Sequence, residues 1–238
     1  AGNDGYVSIE VDPYLCDDAA GTLEEGKRLY AQIDCPNVMI KVPATAAGYE
    51  AMEGLVAEGI AVNATLIFSK EQALSCASAF NRAIERTSKP VDTVISVFVS
   101  RFDRALDSEL SAKGVAPALA GIYNASAIYD AIEAMGVPQC RTLFASTGVK
   151  GDELRASYYV DEMLAFNTVN TAPIATIDAF VSGGASEQKL PIPADKVVAH
   201  FEAMAAAGID FDAVTQTLVS DGLEAFKEAF SEIMDALK

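Results

Sequence analysis

In the stretch NVMIKVPAT, residues 37 to 45, Lys41 interrupts an apolar, strand-like run that ends at once in Pro43, Thr45 and a helical pattern. Desolvating an ammonium is costly, and an amine held at an inward-facing strand position is driven toward its neutral form. The neutral amine is the form that condenses with a carbonyl to give a Schiff base. The competing reading is a lysine that snorkels out of a strand end with its charge in water. Other polar side chains recur late in short apolar runs: Glu10 in YVSIEV, Asn63 and Thr65 in IAVNATL, Ser96 in TVISVFV and Ser146 in RTLFAS. In a barrel of parallel strands, the carboxyl-terminal strand ends are where catalytic groups gather.

The elements that would have to hold these residues follow from the alternation of patterns. Strand-like runs are expected at about 6–11, 38–43, 60–66, 93–99, 141–146 and 167–171. Helical patterns are expected at about 22–33, 46–58, 69–86, 124–135, 155–165 and 174–181, several opened by Ser, Thr or Asn as N-caps, with two more helices in the tail. Strands alternating with helices imply βαβ units and a parallel sheet. In the last helix Leu223, Phe226, Phe230, Ile233 and Leu237 recur at steps of three and four, which reads as a docking stripe.

Alternate residues of a barrel strand face inward. On that count Glu10 shares a face with Ser8, Lys41 with Met39, Asn63 with Thr65, Ser96 with Phe98, and Ser146 with Phe144. Residues of the other parity, Ile9, Ile40, Val42, Val62, Leu66, Val97 and Ala145, are apolar and suit burial beneath helices. A polar layer inside the barrel is the competing reading for any single Ser or Asn.

Composition limits what such a barrel can bind. The 238 residues are 51% apolar, enough for one sizeable core, and the segment VSGGASEQKLPIPAD (181–195) is short enough to be a surface loop within a single domain spanning 1–238. A formal net charge of −17 argues against nucleic acid and anionic membranes as partners. An anionic substrate would therefore need a few local cations to reverse the field. The four cysteines are scattered, no apolar run is long enough to span a membrane, and no signal peptide stands at the amino end, so the chain reads as cytoplasmic with reduced thiols. His200 is the only histidine and lies outside every motif, which excludes a Ser-His-Asp triad and speaks against an imidazole-held metal. No Walker or dinucleotide-binding fingerprint follows a strand. Neither a metal nor an organic cofactor is expected.

Taken in order, VSIEVDPYL (7–15), NVMIKVPAT (37–45), GIAVNATLIFS (59–69), SVFVSRFD (96–103), LFASTGVK (143–150) and TVNTAP (168–173) resemble the transaldolases across nearly the whole chain. The resemblance implies a (β/α)8 TIM barrel, with the tail helices (about 194–238) packing on it. The implied chemistry is that of a transferase of the pentose phosphate pathway, which moves a dihydroxyacetone unit between sugar phosphates through a lysine Schiff base. It implies Lys41 as the Schiff-base residue, Glu10 as a proton shuttle working through a water held by Thr65, and Asn63 as a contact to a substrate hydroxyl. Ser96 and Phe98 match wall residues, Arg101 the arginine that grips the substrate phosphate, and Ser146 a serine on the phosphate side. Two residues beyond that serine the family often has another arginine; here stands Gly148, and Lys150 is the candidate replacement cation. Two further readings stay open: a fructose 6-phosphate aldolase that releases the fragment instead of passing it on, and a silent sugar-phosphate binding remnant.

The resemblance also implies two strands ahead of YVSIEV, supplying an aspartate that acts as general acid/base at the carbon chain and an asparagine that touches substrate. Neither has a counterpart in the 238 residues, and Asp4, Asp12, Asp17 and Asp18 flank the first strand without replacing them. About six of the eight barrel strands are therefore expected, with a gap beside the first. Truncation or proteolysis, completion by a partner and a remnant without turnover are the three explanations. A chain lacking that base is expected to form the imine but cleave slowly. Two raw sheet edges would invite pairing with another chain, as in a homodimer.

Overall fold

The computed structural model of the protein describes residues 5–87 and 90–238; Asp4 lies outside them. Six strands form one parallel sheet in chain order: β1 (Val7–Glu10), β2 (Val38–Pro43), β3 (Val62–Ile67), β4 (Thr93–Phe98), β5 (Cys140–Ala145) and β6 (Thr168–Asn170). This is the α/β architecture of a partial (β/α)8 barrel, and β1 and β6 each have one edge without a strand partner among the described residues. β3 and β4 are buried along their whole length and β2 everywhere but at Lys41, as expected of parallel strands that pack on both faces.

The helices are α1 (Ala19–Ile33), α2 (Ala46–Ala57), α3 (Lys70–Thr87), α4 (Ser100–Ala112), α5 (Ala120–Met135), α6 (Tyr158–Glu162), α7 (Ile174–Gly183), α8 (Ala194–Ala206) and α9 (Phe211–Ala236). Four begin with a side-chain cap: Thr45 Oγ1 accepts from Gly48 N and Ser69 Oγ from Gln72 N, as expected, and Asp18 accepts from Gly21 N and Asp210 from Ala213 N. Gly48 is required where it stands, because a Cβ there would collide with the Pro43 carbonyl at the end of the strand that carries Lys41. Among the described residues no helix is long and apolar enough to cross a membrane.

Three expectations need correction. The segment 100–112, which is not among the expected helical patterns, forms α4 and buries Phe102, Leu106 and Leu110 at steps of four. Its start escapes the usual signals because Val99 occupies the N-cap and makes no side-chain cap. α5 begins at Ala120 instead of near 124, and Asn124 is an interior residue whose amide donates to the Phe68 carbonyl at 2.8 Å. The stripe on α9 docks only in its first half: Leu223 and Phe226 pack against the core, whereas Ile233 and Leu237 are exposed.

α9 is placed by contacts at three points along its length. At its start Phe211 stacks on Phe102 with centroids 4.7 Å apart. In its middle Gly222 lets the helix approach β3, since a Cβ there would come within 2.9 Å of the Leu66 side chain. Toward its end Ser231 Oγ pairs with Tyr14 Oη at 2.9 Å, tying the helix to the 3-10 turn (Pro13–Leu15) that follows β1. α9 therefore runs across the carboxyl-terminal mouth of the sheet.

Candidate active site

Parallel register sets the innermost geometry. Glu10 on β1 pairs with Lys41 on β2, and Lys41 pairs with Asn63 on β3, so the three side chains form one row on the concave face. Lys41 Nζ lies 3.4 Å from Glu10 Oε2, with both side chains partly exposed. Burial raises the Glu10 carboxyl above its ordinary range, and the neighbouring Lys41 ammonium only partly offsets it. Glu10 Oε1 is buried and makes no protein hydrogen bond among the described residues.

Thr65 stands two residues beyond Asn63 and opposite Pro43. Its hydroxyl is likewise buried without a protein partner. Directly after it the β3–β4 register shifts, and Leu66 adopts φ +59°, a left-handed conformation that is costly for a bulky residue. Gln72 holds this bulge. Its Oε1 accepts from the Phe68 and Ser69 amides at 2.9 and 3.1 Å, and its Nε2 donates to the Ala44 and Leu66 carbonyls at 3.2 and 3.1 Å. One amide side chain thus joins the ends of the two strands that present Lys41 and Thr65.

Beneath Lys41 a chain of hydrogen bonds spans the interior. Ser96 Oγ donates to Asn63 Oδ1 at 2.6 Å, and Asn63 Nδ2 donates to Ser8 Oγ at 2.9 Å. Asn63 therefore keeps one N–H and one lone pair for any further partner. The cavity over these residues has a volume of about 430 Å³ and is bounded by Lys41, Asn63, Thr65, Ser96, Phe98 and Leu143, among others.

The alternation expected for β1 to β4 matches this lining, but that for β5 does not. Leu143 and Ala145 face the cavity, whereas Phe144 is fully buried on the helix side, 6.4 Å from the Tyr129 ring. Ser146 lies past the strand end at φ +55°, so the turn of the backbone rather than the pleat sets its direction. Its hydroxyl lies 3.1 Å from Ser100 Oγ at the start of α4.

The cations gather at the rim. Arg101, in the first turn of α4, lies over the Phe98 ring at 5.0 Å; burial lowers its pKa most and the charge of Arg104 next, while that of Asp221 opposes the shift. Lys150 is exposed and borders a separate crevice with Ser146, Ser100 and Arg104. Glu10, Lys41, Asn63, Thr65, Ser96 and Phe98 are thus brought to one face, with Arg101 and Ser146 at its edge and Lys150 farther out. Two residues were missed in the sequence. Arg104 sits on the helix that was not foreseen, and Phe226 of α9 places its ring 4.9 Å from Lys41 Nζ. Phe226 was visible only as a member of an apolar stripe.

The chain is similar to known proteins over nearly its whole length. The family model described as transaldolase/fructose-6-phosphate aldolase matches residues 1–237. A transaldolase of Neisseria meningitidis serogroup A is 42% identical over 252 residues, covering 99% of this chain and 72% of that protein. A transaldolase of Campylobacter jejuni serotype O:23/36 is 42% identical over 246 residues, covering 99% of this chain and 74% of that protein.

Proposed function

This chain belongs to the transaldolase/fructose-6-phosphate aldolase family, and from that premise we propose that it transfers a three-carbon dihydroxyacetone unit between sugar phosphates through an imine on Lys41. The observation that carries this reading is the Glu10–Lys41 pair, an amine and a carboxylate 3.4 Å apart at the carboxyl-terminal ends of neighbouring strands.

In this reading the Lys41 amine adds to the ketose carbonyl. Glu10 moves protons to and from the carbinolamine oxygen through a water that Thr65 holds, so that the oxygen leaves as water and the imine forms. The raised pKa of Glu10 suits a group that must both give and take a proton. The otherwise unpartnered Glu10 Oε1 and Thr65 Oγ1 support a water between them. Asn63 orients a substrate hydroxyl, and Ser96 and Phe98 form a wall. The phosphate lies on Arg101 and Ser146, with Lys150 and Arg104 supplying charge from the adjoining crevice. A net charge of −17 makes such local cations necessary for an anionic substrate. The same reading includes a cytosolic setting, no nucleic-acid or membrane partner, and a homodimer. Four free cysteines support the first, the net charge the second, and the strand edges without a partner among the described residues the third.

Incubation with fructose 6-phosphate and erythrose 4-phosphate tests the transfer. The expected product is a seven-carbon ketose phosphate. Free dihydroxyacetone alone would assign the chain to simple aldol cleavage, and substrate binding without product would leave it a binding protein.

A further inference from the structure

The ring of Phe226 does not belong to the barrel, yet its centroid lies 4.9 Å from Lys41 Nζ, on which the strand-borne Glu10 carboxylate also closes, at 3.4 Å. α9 is fixed over the mouth on both sides of this residue. Gly222, one turn earlier, seats the helix on Leu66 and Phe68, and Ser231, about one turn later, is bonded to Tyr14. A Cβ at Gly222 would also lie 3.3 Å from Arg101 Nη1, and the charge of Asp221 beside it acts on that guanidinium, so the helix also lies against the residue assigned to the phosphate. Phe226 packs against the core although the later members of its stripe, Ile233 and Leu237, are exposed. The part of the stripe that docks is thus the part lying over the lysine.

We propose that Phe226 is a positioning residue that covers Lys41 and keeps bulk water from the imine, holding the three-carbon fragment until an acceptor arrives. This inference rests on the Schiff-base reading above. Loss of the fragment requires water to add to the carbon of the protonated C=N bond, after which the C–N bond breaks. The carbonyl keeps the water's oxygen, and both of its protons end on the nitrogen, which leaves as the Lys41 ammonium. Transfer instead needs the fragment to stay bonded while one aldehyde departs and another enters. A hydrophobic ring over the nitrogen slows water addition by excluding bulk water and imposes no comparable barrier on the reacting carbon chain, which extends toward Phe98 and Arg101. The face of the ring also favours a cation beneath it, whether ammonium or protonated imine.

The test loads the intact chain with isotopically labelled dihydroxyacetone, which forms the imine without carbon–carbon cleavage. The sample is then diluted into unlabelled buffer and quenched with borohydride at increasing times, and label fixed at Lys41 reports the surviving imine. The trapped signal should decay at least about fivefold faster in Phe226→Ala than in the unaltered protein, and more modestly faster in Phe226→Leu, which keeps some apolar cover. Decay within twofold of the unaltered protein in Phe226→Ala would overturn the proposal. Should that variant fail to fold, Phe226→Leu decides: decay more than about twofold faster than in the unaltered protein supports the proposal, and decay within twofold overturns it. Absence of any trapped label in the unaltered protein would instead refute the Schiff-base reading, so the two failures are distinct.

Discussion

Glu10 and Lys41 are register partners on adjacent parallel strands, and their side chains meet at 3.4 Å on the concave face of the sheet. The pairing makes the carboxylate a fixed neighbour of the amine. Glu10→Gln keeps the size of the side chain and removes its capacity to take a proton, so imine formation should slow by about 10²- to 10⁴-fold. Because burial raises the Glu10 pKa above 4.5, the rate in the unaltered protein should fall as the pH drops through that raised value. This acid limb should be missing in Glu10→Gln. A rate–pH profile of borohydride-trapped product checks both points.

Arg101 concerns substrate charge. A charge-assisted contact to phosphate is typically worth about 1.5–3 kcal/mol. Arg101→Ala should therefore raise KM for phosphorylated sugars about tenfold or more and leave dihydroxyacetone binding nearly unchanged. Arg104→Ala and Lys150→Ala, whose side chains are exposed, should act in the same direction but more weakly. Equal losses for phosphorylated and unphosphorylated substrates would move Arg101 from binding to structure.

Asp103 gives a pH dependence of stability. It is buried in α4, accepts from Gly121 N at 2.9 Å, and burial pushes its carboxyl from 3.8 up to about 6. The folded chain thus binds this proton more tightly than the unfolded one. Asp103 lowers stability progressively as the pH rises from about 4 to about 6, and the penalty is complete above that. Asp103→Asn can still accept from Gly121 and removes the titration. Its Tm relative to the unaltered protein should climb across that window and then level off, the change corresponding to on the order of 2–3 kcal/mol. A difference independent of pH would exclude the buried carboxyl as its source.

Gln72 makes four hydrogen bonds that join the strand ends behind Lys41 and Thr65. Gln72→Ala should cost about 2–4 kcal/mol of stability, read from denaturant midpoints, since net contributions run near 1 kcal/mol per bond. It should also lower kcat more than it raises KM, because it releases the bulge at Leu66 without touching the cations at the rim.

Much of this molecule was legible in the chain. The six strands announced themselves as short β-branched runs, and their order follows from the helices between them. Lys41, Glu10 and Thr65 stood out because a polar residue late in a buried strand needs a reason. What escaped depends on geometry that no local pattern encodes. The direction of Ser146 is set by one backbone angle of +55° after β5 rather than by alternation, and the inward and outward residues of that strand were exchanged as a result. α4 lacks a capping side chain, so its start and the placement of Arg104 were invisible. The stripe on α9 told that the helix docks, but only the tertiary fold told that Phe226 docks over a lysine about 185 positions earlier, and that Ile233 and Leu237 do not dock.

The central claim is that Lys41 is the nucleophile, and mass spectrometry tests it most directly. The folded chain incubated with fructose 6-phosphate and reduced with borohydride should carry a three-carbon or six-carbon adduct on the peptide containing Lys41 and on no other lysine, and Lys41→Ala should carry none. An unmodified Lys41 peptide from folded protein, or an adduct on a different lysine, would contradict the account.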